Sequence, residues 1–169
     1  MAKATTIENL LEEEWYHVRY SGEIPEVALH SSLFYLTEDP DGPGLNLEAE
    51  HVHCLHEAVI DRYYEIIVRD ITPENRDSST YRGVLRAISN WRRMKRFCLR
   101  HELDHGKMRD KISQQFLKFI ENQIQEHPQD KERSRINCSF DDLTSFALEL
   151  GVSLQKLEKS LKPFCLDFS

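Results

Sequence analysis

The feature that most constrains this chain is the spacing of its apolar residues. They recur every three or four positions in run after run, and glycine or proline closes each run. Residues three and four apart share one side of an α-helix, so each run predicts a helix with one face turned inward. Ile7, Leu10, Leu11, Trp15 and Val18 form the first, ended by Gly22, and Thr5-Thr6-Ile7-Glu8 before it reads as a capping box. Pro25 suits a first helical turn, and Leu29, Leu33 and Leu36 share a face over 25–37. Asp39-Pro40-Asp41-Gly42-Pro43-Gly44 can only be a loop. Asn46 then caps an expected helix from 47 to 71, with Val52, Leu55, Val59, Tyr63 and Ile66 as its stripe and Pro73 as its stop.

Ser78 or Ser79 opens the next helix, which runs to about residue 103 with Tyr81, Val84, Leu85, Ile88, Trp91, Cys98 and Leu99 along one face. Gly106 breaks the chain there. Met108, Ile112, Phe116, Phe119 and Ile120 make another helix, closed by Pro128. Ser139 and Ser153 cap two short final helices, which Gly151 and Pro163 end. No run alternates with a period of two, and no internal repeat is evident. The expected fold is all-α: a helical bundle of about four longer helices over 1–127, a polar linker over 128–138, and a C-terminal helical hairpin over 139–169 packed on the same domain.

Size and composition suit one core, with 169 residues, 40% of them hydrophobic and 30% charged. No stretch approaches the roughly 18 consecutive apolar residues of a membrane span, and Met1–Thr6 lacks the apolar run of a signal peptide. A soluble, cytoplasmic protein with no membrane partner is expected. Cys54, Cys98, Cys138 and Cys165 lie 44, 40 and 27 residues apart with no CxxC pair, and read as free thiols.

Charge is segregated along the chain. Residues 76–111 hold 11 basic and four acidic side chains, a net of +7, within a chain of net −7; the rest is therefore −14. Such a surplus either meets an acidic partner or packs against acidic neighbours in the same fold, and the acid in this chain favours the second. Arg92-Arg93-Met94-Lys95-Arg96, with Trp91 and Phe97 on either side, is the candidate binding segment.

The string with the most chemistry is His101-Glu102-Leu103-Asp104-His105. On a helix, H-E-x-x-H sets two histidines one turn apart for zinc, with the glutamate activating the bound water. The five residues resemble the zinc-binding helix of zincin metallopeptidases and, with Asp104 before the second histidine, that of peptide deformylase. That resemblance implies His101 and His105 as ligands and Glu102 as catalytic base. A second cluster, Glu50-His51-Val52-His53-Cys54-Leu55-His56-Glu57, contains another Glu-x-x-His pair, and two such pairs on facing helices build di-iron sites in bundles. His53 and Glu57 with His101 and His105 are also similar to the pattern of hemerythrin-like oxygen carriers. The simpler reading places both clusters at helix ends, half exposed and without metal.

A third possibility is nucleic acid. The basic segment could track phosphates, and Leu143–Glu158 is similar to a helix-turn-helix, with Ala147, Gly151 and Leu157 where that motif wants them. Residues 139–162 nevertheless carry a net charge of −1, which disfavours a DNA-reading helix. No nucleophile triad, P-loop or dinucleotide fingerprint occurs. The favoured reading is a cytoplasmic helical bundle that acts by binding, in a protein-interaction or regulatory role without catalysis. A zinc or di-iron bundle, in the first case a zinc hydrolase, is the alternative, and a nucleic-acid-binding regulator is the next.

Overall fold

A computed structural model of the chain describes residues 6–72, 80–126 and 140–161. The expected linker over 128–138, the Ser78/Ser79 and Ser139 caps, and the stops at Pro73, Pro128 and Pro163 lie outside these residues. Seven helices are described: α1 Ile7–Tyr20, α2 Pro25–Thr37, α3 Ala49–Asp70, α4 Thr80–Arg100, α5 Gly106–Glu126, α6 Phe140–Glu149 and α7 Leu154–Leu161. No strand occurs among the described residues, so the fold is all-α. Among the same residues, no helix is long and apolar enough to cross a membrane. The chain divides into two compact units, Met1–Tyr63 and Tyr64–Ser169, with the boundary inside α3.

In the first unit, the cap of α1 is Thr6, one residue later than one arm of the expected box. Its hydroxyl accepts the amide N–H of Asn9 at 3.3 Å, so Asn9 rather than Glu8 occupies the third helical position. This register turns Leu11 and Val18, seven residues apart, into the core. Helix α2 starts on Pro25, whose missing N–H costs nothing at a helix start. It buries Ala28, Leu29 and Leu36 and packs on α1. Ser32 is the one buried polar side chain among the described residues. It donates to the Glu14 carboxylate at 2.6 Å, which satisfies the hydroxyl and ties the two helices.

The loop after α2 folds back over the end of that helix. Phe34 O accepts from both Glu38 N and Asp39 N, and Leu36 O accepts from Leu45 N at 2.7 Å. Gly42 lies so close to the chain that a Cβ there would run into the Tyr35 carbonyl oxygen. The cap of α3 differs from expectation. Glu48, not Asn46, supplies the carbonyl that accepts the first amides, from His51 and Val52. The His51 imidazole Nδ1 in turn accepts from Glu48 N at 3.1 Å, as a glutamate does in a capping box. The Tyr63 hydroxyl donates to Glu26 at 3.1 Å and joins α3 to α2.

In the second unit, α4 packs on α6, α5 on α7, and α6 on α7. The core of α4 is Val84, Ala87, Ile88, Trp91, Met94, Phe97 and Cys98. Leu85 and Leu99, expected on that face, point outward, Leu99 with 62% of its surface exposed. At about 100° per residue the buried set spans an arc from Phe97 through Met94, Cys98 and Trp91 to Ile88, and Leu99 and then Leu85 fall past its Ile88 edge. From α5, Phe116 meets Phe146 of α6 edge to face, with ring centroids 4.8 Å apart. Gly151 (φ +75°) closes α6 as expected, because Val152 N donates to Ala147 O and Gly151 N to Leu148 O. The Ser153 hydroxyl caps α7 by accepting from Lys156 N.

Candidate functional site

Helix α4 ends at the H-E-x-x-H string. Arg100 is its last helical residue, and Glu102 has a positive φ of 55°, the one such non-glycine residue among those described. Leu103 N donates to Cys98 O at 2.8 Å and Glu102 N to Leu99 O at 3.4 Å. These are the two bonds of a Schellman cap, with Glu102 at the left-handed position that glycine usually takes. The Asp104 carboxylate then accepts from Gly106 N at 2.8 Å, and α5 begins.

The expectation that His101 and His105 stand one turn apart on a continuous helix is therefore corrected. The chain reverses its twist between them, so a resemblance that requires helical spacing does not carry over. His101 and Glu102 are exposed and His105 is half-buried. His101 lies against the Phe97 ring at 4.6 Å, and His105 meets Trp91 at 6.1 Å. The Glu102/His105 pair of the di-iron reading loses its spacing for the same reason. In the first unit, His53 Nε2 and Glu57 Oε1 are 3.2 Å apart across one turn of α3, both well exposed. Among the described residues, no three His, Cys, Asp or Glu side chains come together where they could hold a metal ion.

The basic segment has more geometry to offer. Met94 is fully buried, so the run Arg92-Arg93-Met94-Lys95-Arg96 is pinned to the core at its centre and presents its charges around that anchor. Arg92 chelates Glu149 of α6 through Nη2 (2.7 Å) and Nε (3.0 Å) to Oε1. Arg86 meets Asp70 at 3.2 Å. Two of the helix's arginines thus pair within the fold, as the charge segregation suggested. Arg96 donates to the Arg92 carbonyl at 3.4 Å. Arg93 and Arg96 are exposed and Lys95 is half-buried, and none of the three meets a carboxylate among the described residues. With Leu99 they form an arginine-rich exposed face with apolar material in it.

Sequence reasoning missed the outer face of α2. Ile24 at its start, then Val27 and Phe34, stand opposite Leu29 and Leu36, each about half exposed (52%, 50% and 50%). The signal was present: α2 is apolar on both sides, whereas an ordinary surface helix is apolar on one. On α1, the Trp15, Tyr16 and Tyr20 rings cluster, with Tyr16 and Tyr20 stacked at 5.9 Å.

Of the four cysteines, Cys54 and Cys98 are among the described residues, and Cys138 and Cys165 lie outside them. Cys98 is buried, and burial, with a smaller effect from the Asp104 carboxylate, pushes its thiol up to about 11. Burial and the neighbouring Glu57 carboxylate also raise Cys54. Both are free thiols.

Helices throughout, a helix-end histidine cluster without helical spacing, an arginine-rich face on α4 and an apolar one on α2 define an all-α chain. The chain belongs to the family described as "Repeat of unknown function (DUF7826)", whose model matches residues 6–152. No curated protein and no solved structure matches it.

Proposed function

We propose that this chain is a protein-binding module without catalysis of its own, and that the exposed face of α4 is its docking surface. The observation that carries the reading is the arrangement of that helix. A row of buried side chains centred on Trp91 and Met94 holds it rigidly, while Arg93 and Arg96 project outward beside Leu99. A rigid face of guanidinium groups around an exposed apolar side chain suits a protein surface that is acidic with an apolar centre. Contacts of α6 with α4 and of α7 with α5 are consistent with a finer architecture, in which a C-terminal hairpin completes a bundle of the longer helices. Free, buried thiol at Cys98 fits a reducing compartment such as the cytoplasm.

The test is affinity capture from the source cells with wild-type chain and with Arg93→Glu/Arg96→Glu. The reading expects a protein partner with an acidic surface that the wild type retains and the variant loses. Loss of nothing on charge reversal would overturn it. Both substituted residues are exposed, so the variant's circular dichroism should match the wild type.

A further inference from the structure

The two exposed faces differ in charge in a way that bears on the identity of the partner. Residues 1–63 carry three basic and 13 acidic side chains, a net of −10. Residues 64–169 carry 19 basic and 16 acidic ones, a net of +3. The exposed apolar stripe of α2 lies in the acidic unit, with exposed Glu23 and Glu38 at its two ends. The arginine-rich face of α4 lies in the basic unit, with exposed Leu85 and Leu99 at its two ends. With Leu99 set against Phe34 and the two helices antiparallel, Arg96 and Arg93 fall about 4.5 and 9 Å along the axis, on either side of Glu38 at about 6 Å.

Their lengths are also comparable. Ile24 to Phe34 spans about 15 Å along a helix axis, and Leu85 to Leu99 about 21 Å, at 1.5 Å per residue. A helix that keeps apolar residues on both sides has one side already buried and a second in need of cover. The description of the family as a repeat supplies a candidate for that cover. Where such units stand side by side, a face that one leaves exposed can be buried by the next.

We infer that the occupant of the α2 face is a second copy of this chain, which docks its α4 face there. The contact rests on the reading of α4 as a docking surface and names its partner. It is heterologous: one copy contributes Ile24, Val27 and Phe34, and the next contributes Arg93, Arg96 and Leu99. Each copy keeps one face free, so association can continue from copy to copy. Unlike charges speed encounter and set orientation, while Phe34 and Leu99 supply the desolvated contact.

Sedimentation velocity tests this on the full chain, at low salt and over a range of protein concentrations. The wild type should form species that grow with concentration and dissociate as salt is raised. Phe34→Asp and Arg93→Glu/Arg96→Glu should each weaken association by about tenfold or more, which is the loss of one anchor or of a steering charge pair. A heterologous contact makes a further demand. The first variant keeps its α4 face and the second keeps its α2 face, so mixing them should yield a 1:1 dimer and nothing larger. Val27→Lys should reproduce the effect of Phe34→Asp, which separates loss of the face from a local fault in one variant.

A wild type that stays monomeric into the millimolar range would overturn the inference. So would single-face variants that associate normally, or variants that fail to pair on mixing. If the wild type is monomeric while a different acidic protein is captured and lost on reversing Arg93 and Arg96, the docking surface stands and this choice of partner falls. If reversal changes neither capture nor self-association, both fall.

Discussion

Replacing Glu102 by glycine should stabilise the protein, although glycine near a helix usually does the reverse. Glu102 holds a φ of 55°, and a side chain in left-handed conformation costs roughly 1–2 kcal/mol against the Cβ-free residue. Glycine returns about 0.5–1 kcal/mol of that through the greater freedom of its unfolded chain. Removing a carboxylate from the negative end of α4 adds about 0.3 kcal/mol. The net is a gain of about 1 kcal/mol, or a rise in Tm of about 2–4 °C for a chain of this size. Urea denaturation of wild type, Glu102→Gly and Glu102→Gln measures it. Glutamine removes the charge and keeps the Cβ, so it should recover only the electrostatic part. The sign is informative about the motif. Were α4 continuous through residue 105, as zinc binding by His101 and His105 demands, glycine at 102 would sit in a helix interior and cost about 1 kcal/mol. A destabilised Glu102→Gly would refute the Schellman cap and restore the helical spacing of the two histidines.

Other expectations are as direct. Gly42→Ala should destabilise the chain by about 2 kcal/mol or more in the same assay, because the added methyl meets the Tyr35 carbonyl, which is backbone and has little room to give. Cys98 should resist alkylation at pH 8, followed by mass spectrometry of the modified peptides: a thiol shifted from about 9 to about 11 holds about a hundredfold less thiolate, and its burial slows attack further. The same shift sets a sign for stability. The folded chain keeps a proton that the unfolded chain releases, so this contribution is intact below about pH 9 and is lost as pH rises through about 11. Cys98→Ala should flatten the alkaline fall, and an unchanged slope would count against buried thiol as its cause. Zinc or ferrous iron near micromolar concentration should leave Tm unmoved, since mass action stabilises only a chain with a formed site; a rise abolished by His105→Ala would overturn the helix-end reading.

What the sequence determined was local. Helix class follows from spacing, and Thr6, Pro25, Gly151 and Ser153 mark helix ends because their chemistry acts on amides and carbonyls within four residues. Burial of Trp91, Ile112 and Phe116 follows from their place on apolar stripes. Tertiary structure alone decided the rest. Asn46 and Glu48 both stand before α3, and only the structure shows that Glu48, answered by His51, is the cap. Leu85 and Leu99 read as core on a stripe drawn too wide; where α4 meets its neighbours selected Met94 and Phe97 instead. H-E-x-x-H was legible as a string, but its meaning depended on two hydrogen bonds that stop α4 at Arg100. The outer face of α2 stayed hidden for a related reason. Periodicity finds an apolar face by contrast with a polar one, and Val27 and Phe34 remove the contrast. Only packing, which covered Leu29 and Leu36 and left their opposites in water, separates a core face from one that awaits a partner.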